Sequence, residues 1–216
     1  MKTMKTKLIA LALLALGTVQ AQATVLLSES FDDVSALPGA GWQVFNDGTP
    51  GGSTTWFQGN DAVFGPHEGT GYVAANYLAA PSGGFVSLYL VAPELFLADG
   101  DTITFWTRTA GGEFAFGDGL LVGIPLSDVP AWLEINPTND AGGYPDQWTR
   151  YSAVVSGLGT SPRPQRFSFV YYGPADQLDY IGIDNLEVSR VPEPGTLMLL
   201  GLGLAGLGFA RRRNIA

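Results

Sequence analysis

The chain has 216 residues, no cysteine, a single histidine (His67) and a formal charge of −9. Disulfides, thiol chemistry and any metal site that needs two imidazoles are thereby excluded. All three lysines precede residue 8, so the stretch 24–190 holds five arginines against nineteen acids, a charge of −14; such a surface repels phosphate backbones and excludes nucleic-acid binding.

In chain order, Lys2, Lys5 and Lys7 precede the apolar run 8–17, and Ala21-Gln22-Ala23 follows it. A positive region, a short apolar core and an A-x-A site read as a secretory signal peptide over residues 1–23, cleaved after Ala23. Short apolar stretches then alternate with glycine, proline, asparagine and aspartate. Strands are expected at 25–31, 41–45, 71–75, 84–91, 101–109, 120–124, 148–155, 166–172 and 180–188. Turn signals between them include Asn46-Asp47-Gly48, Pro81-Ser82-Gly83-Gly84 and Ala98-Asp99-Gly100, while 136–145 and 158–164 read as longer loops. Within 101–109, Ile103 and Phe105 share one face, and Thr104, Trp106 and Arg108 the other. In 166–172, alternation sets Phe167, Phe169 and Tyr171 toward the core. No stretch keeps a helical period. The expected fold is therefore all-β, a single antiparallel β-sandwich or jelly roll over 24–190, long enough for one buried core. A signal helix would precede it and a hydrophobic helix follow it.

At Pro192-Glu193-Pro194 the composition changes, and the two prolines stop any strand. Residues 196–210 are uncharged and mostly apolar, and Arg211, Arg212 and Arg213 follow at once. As a helix, those fifteen residues span about 22 Å, short of a bilayer core of about 30 Å. The arginines would mark the cytoplasmic side and leave the preceding domain outside; a buried core helix is the alternative. This three-part end, 191–216, resembles the PEP-CTERM sorting signal. The resemblance implies export through the Sec translocon, a membrane-tethered precursor, recognition by an exosortase, and removal of the tail on transfer to the surface or matrix. It also implies a Gram-negative-type bacterium that makes extracellular polysaccharide, a possible partner. Pro192, Glu193, Pro194 and Arg211 to Arg213 would be the recognition elements.

The body carries a second resemblance. Ser30-Phe31-Asp32-Asp33, Gly41-Trp42, the segment 71–76, the strand 101–109, Gly142-Gly143-Tyr144-Pro145 and Tyr180-Ile181-Gly182-Ile183-Asp184 together are similar to the choice-of-anchor J domain. The likeness covers most of 24–188 and departs at 113–132, where the chain is compressed. It implies an adhesin-like jelly roll without assigning a ligand.

Two acids stand out from strand phase. Alternation sets Glu29 in an apolar series with Val25, Leu27 and Phe31, which is unfavourable unless it is paired, metal-bound or at a rim. The apolar phase of 180–188 slips at Asp184-Asn185, the mark of a bulge. First and last strands of a jelly roll often neighbour one another, so Glu29, Asp32 and Asp184 are expected to meet and hold a structural calcium that clamps the termini. The resemblance adds that related adhesin jelly rolls carry such an ion in this region; surface acids and an arginine-paired rim glutamate are the alternative. No other cofactor is required.

Five tryptophans invite a sugar platform but also serve as core fillers. Trp56, in a polar segment, is the one expected to be exposed for ligand binding. No G-x-S-x-G elbow occurs, and His67 lies in the turn-like 65–69, where an exposed histidine is expected. Carboxylate pairs for glycoside hydrolysis stay open but unspecific among so many acids. No catalytic residue is assigned. The leading expectation is a noncatalytic adhesion or matrix module, with a carbohydrate-binding module or a glycan-active hydrolase as alternatives.

Overall fold

Short β-branched and aromatic stretches become strands because each can bury one face while pairing its backbone. A computed structural model describes residues 23–111, 117–124, 131–135 and 143–190. In chain order the strands are β1 (Thr24–Glu29), β2 (Gln43–Asn46), β3 (Phe57–Gln58), β4 (Val73–Asn76), β5 (Phe85–Val91), β6 (Leu95–Leu97) and β7 (Thr102–Thr109). They continue as β8 (Gly119–Ile124), β9 (Ala131–Ile135), β10 (Thr149–Val154), β11 (Arg163–Gln165), β12 (Ser168–Pro174) and β13 (Tyr180–Arg190). The signal peptide, the sorting segment and most of the loop expected at 136–145 lie outside the described residues. Among the described residues no helix is long and apolar enough to cross a membrane.

Two antiparallel sheets form a sandwich. One runs β10-β7-β13-β4-β3 with β1 also paired to β13, and the other runs β2-β5-β12-β8-β9. The first and last strands are thus neighbours, as expected. All nine expected strand segments are strands. The four additional ones are short, and β11, which overlaps the end of the stretch 158–164 read as a loop, pairs only with β6 in a two-stranded sheet. Its sequence Arg-Pro-Gln has no apolar alternation to betray it.

Inward positions pack between the sheets: Ile103 and Phe105 from β7, Phe169 and Tyr171 from β12, Ile181 and Ile183 from β13, and Phe167 just before β12. Phe105 and Phe169 meet edge to face at 5.0 Å between ring centroids, a favoured aromatic geometry. The expected bulge is present, with the β13–β7 register shifting between Asp184 and Glu187 and Asn185 at φ 45°. After it, Leu186 and Val188 are the buried residues of the strand, which explains the change of apolar phase.

A polar bridge also crosses the core. Asp118 is fully buried. Its carboxylate accepts from the Thr109 hydroxyl of one sheet at 2.6 Å, the Tyr171 hydroxyl of the other at 2.6 Å and the Asp179 N–H at 2.9 Å. Burial raises the carboxyl's pKa above the usual aspartate range, against the lowering effect of those three donors.

Candidate functional site

The acids singled out in the sequence lie where the segment 59–71 folds over the outer face of the six-stranded sheet. Asp184, fully buried at the bulge, accepts at Oδ2 from the N–H groups of His67 (2.7 Å) and Glu68 (3.3 Å), and at Oδ1 from that of Asn185 (2.7 Å). Asp32 grips the other end of the segment. Its Oδ1 accepts from the Thr70 N–H (2.5 Å), the Thr70 hydroxyl (3.0 Å) and the Gly71 N–H (3.0 Å), and its Oδ2 from the Ser30 hydroxyl (2.8 Å). The segment is therefore a strap held by one carboxylate after the first strand and one in the last.

The two clamps titrate in opposite directions. Hydrogen bonds, the Thr70 N–H first, hold Asp32 below the usual range. Desolvation pushes Asp184 up to about 6 although three backbone N–H groups favour its charge.

Glu29 faces elsewhere. Its Oε1 accepts from the Phe31 N–H at 2.9 Å, and with Ser28, Glu68, Asn185 and Glu187 it lines a cleft of about 380 Å³. Among the described residues no three histidine, aspartate or glutamate side chains converge to hold a metal. The expected calcium trio Glu29, Asp32 and Asp184 is thus not assembled. The physical reason is local: the strap's N–H groups take up the oxygens of Asp32 and Asp184, so these acids fasten chain to chain directly.

Aromatic packing completes the strap. Contrary to the expected exposed loop position, His67 is half-buried and stacks on Trp106 at 3.8 Å between ring centroids. Trp148 donates from Nε1 to the Gly65 carbonyl at 2.9 Å, and the Arg108 guanidinium lies 4.4 Å from the centre of the Phe64 ring, a cation–π contact. Gly182 forms the floor. A Cβ there would come within 2.8 Å of both the Phe64 and Tyr72 rings, so only glycine lets the strap close onto β13.

Trp56 requires correction. It is 4% exposed and belongs to the main core, as does Trp42, so its ring offers no surface platform. The residues after it form β3 and pair with Val73 and Ala74 on the sheet, which draws the indole inward, where burial of its large apolar area stabilises most.

Exposed aromatics lie instead on the other sheet. On β5, Val86, Leu88 and Leu90 point inward and are fully buried, so Phe85, Ser87, Tyr89 and Val91 point outward. Phe45 of β2 is in register with Tyr89, and Tyr172 of β12 with Ser87. Phe45 and Phe85 are 48% and 47% exposed. Gly119 makes room for Tyr172, since a Cβ there would lie 2.9 Å from that ring. A composition-based reading misses this set because Phe45, Phe85 and Tyr89 look like ordinary strand residues; only pairing brings them together.

The sandwich ends at Arg190. Its Nε and Nη2 bond Asp101 Oδ1 and Oδ2 at 2.7 and 2.6 Å, and Nη2 also donates to the Phe96 carbonyl at 2.8 Å. Pro192, Glu193, Pro194 and Arg211 to Arg213 lie beyond the described residues.

The sequence matches the PEP-CTERM protein-sorting motif over residues 190–213. A comparison with curated proteins found no match. Among solved structures the chain is similar to the K3 cleaved adhesin domain of Lys-gingipain from Porphyromonas gingivalis W83 (18% identity, TM-score 0.54, covering 78% of this chain and 99% of that one). It is also similar to the K2 cleaved adhesin domain of Lys-gingipain (15%, 0.52, 78% and 100%). The K1 domain of the Porphyromonas gingivalis W83 protein is a third match (20%, 0.50, 79% and 99%). At these identities the likeness concerns the fold alone. The chain is thus an exported protein whose body is an antiparallel β-sandwich and whose PEP-CTERM protein-sorting motif at 190–213 sorts it to the cell surface.

Proposed function

We propose that the β-sandwich, residues 24–190, is a noncatalytic adhesion module. In this reading the Sec translocon exports the precursor and segment 191–216 tethers it to the membrane. Exosortase cleavage then leaves the module on the surface or in the extracellular matrix of a Gram-negative-type bacterium. Its partner there is extracellular polysaccharide. One observation carries the reading: a sorting motif at 190–213 stands directly behind a fold shared with domains named as adhesins. The hydrolase alternative has less support, because Asp32, Asp118 and Asp184 all hold the fold through hydrogen bonds. Calcium has no part in this proposal; hydrogen bonds make the clamp that a metal would have made.

The test is sorting and retention in an exosortase-positive host. The wild-type chain should lose its tail, become accessible to external protease and stay with the polysaccharide fraction. Glu193→Ala combined with Arg211→Gln, Arg212→Gln and Arg213→Gln should leave an unprocessed precursor in the membrane. A wild-type protein that is processed but never retained by polysaccharide would refute the adhesion part and leave the sorting part standing.

A further inference from the structure

The outward face of the five-stranded sheet differs in charge from the rest of the molecule. Its outward positions on β2, β5, β8 and β12 are Gln43 and Phe45, then Phe85, Ser87, Tyr89 and Val91, then Gly119, Leu121 and Gly123, and finally Ser168, Val170 and Tyr172. None carries a carboxylate or a cation, although the stretch 24–190 holds twenty-four charged residues. Just past β2 the same outward row continues to the exposed Asp47, whose N–H donates to the Ser87 carbonyl at 2.9 Å, so the charge that pairing sets beside these positions is a carboxylate.

The aromatics of this face are grouped. Phe45 sits directly across from Tyr89, with Cβ atoms about 5 Å apart in such a pair. Phe85 lies four residues from Tyr89 on one strand, about 13 Å along the same face. Tyr172 lies between them in register, across from Ser87, with its ring over Gly119. Exposing two phenylalanines to about half of their area, side by side with tyrosines, is unfavourable in water and marks an interaction surface.

The charge distribution selects the occupant. With the Asp47 carboxylate beside Ser87, the Arg166 guanidinium turned onto the Gly41 and Ala92 carbonyls at the end of the face, and −14 on the surrounding domain, anionic chains and second copies of the protein are repelled. An uncharged sugar chain meets no such repulsion; its apolar ring faces cover aromatic side chains while its hydroxyls bond to Gln43, Ser87 and the Tyr89 hydroxyl. We propose that this face, centred on Phe45, Phe85, Tyr89 and Tyr172, binds an uncharged polysaccharide chain. The inference rests on the adhesion reading and deepens it by naming the surface and the ligand class.

Affinity electrophoresis of the full-length chain in mild detergent tests it. The gels contain uncharged polysaccharides (hydroxyethyl cellulose, xylan, galactan, glucomannan) or anionic ones (alginate, polygalacturonate). At least one uncharged polymer should retard the protein, and the anionic ones should not. The double variant Phe45→Thr/Phe85→Thr, chosen to keep β-propensity, should weaken the retardation about tenfold or more, as loss of central aromatic contacts does. Phe96→Thr/Val154→Thr, at positions 63% and 66% exposed outside this face, should leave it unchanged, and melting curves confirm that both variants fold. Retardation by an uncharged polymer that ignores the Phe45/Phe85 change overturns the site and spares the adhesion reading. No retardation by any polymer overturns both. Retardation by the anionic polymers alone, or self-association lost in Phe45→Thr/Phe85→Thr, overturns the assigned ligand class.

Discussion

Replacing Asp184 by asparagine separates the two roles of this buried carboxylate, as hydrogen-bond acceptor and as charge. In the folded protein desolvation holds its pKa near 6, against 3.8 for an ordinary aspartate. Between those values the native state binds more protons than the unfolded chain, so this group's contribution to stability falls as pH rises from about 4 to about 6. That difference corresponds to about 3 kcal/mol. Asparagine does not titrate. Its carbonyl can still accept from His67 and Glu68, while its amide opposes the Asn185 N–H and leaves that donor without a partner, an effect of about 1–3 kcal/mol. Asp184→Asn should therefore be less stable than wild type at pH 4, and should recover by about 3 kcal/mol relative to it by pH 7. Urea unfolding followed by tryptophan fluorescence at pH 4, 5, 6 and 7 measures the difference, in which the other acids largely cancel. A difference constant across this window, or one that grows against asparagine as pH rises, would refute the desolvation argument.

Three further outcomes follow from the same geometry. Arg190→Ala strands Asp101, which is 1% exposed, without its cation; the expected loss is about 3–5 kcal/mol, read by urea denaturation, and a loss under about 1 kcal/mol would contradict the buried pairing. Gly182→Ala forces a Cβ against the Phe64 and Tyr72 rings and should cost about 1–3 kcal/mol, with faster amide exchange at His67 and Glu68; unchanged exchange there would show that the strap does not rest on this glycine. Thermal melts in EDTA and in millimolar calcium should coincide, because hydrogen bonds occupy Asp32 and Asp184. A calcium-dependent rise in Tm that vanishes in Glu29→Gln would restore a metal to the cleft beside Glu29.

Much of this architecture was legible in the sequence. Alternation located the nine strands that carry the core, because a half-buried strand must repeat every two residues. The phase slip in 180–188 revealed the bulge at Asp184-Asn185, since one extra residue reverses which side chains face inward. The short strands β3, β6, β9 and β11 were not legible, as two to five residues hold too few alternations to stand above chance. Neither was the fate of Trp56, whose polar neighbours suggested exposure while pairing of β3 with β4 buries it.

What the sequence by itself determined is destination and class. Charge, apolar run and proline punctuation are local properties, and the sorting motif at 190–213 is made of them. Tertiary structure alone decided what the acids do and where the aromatics lie. Asp32 and Asp184 are separated by 152 positions yet hold the same strap, and Phe45 and Tyr89 become neighbours only through the register of β2 on β5. Carboxylate function depends on which donors lie within hydrogen-bond distance, and a binding face on which strands pair. Both are set by contacts between residues remote in the chain.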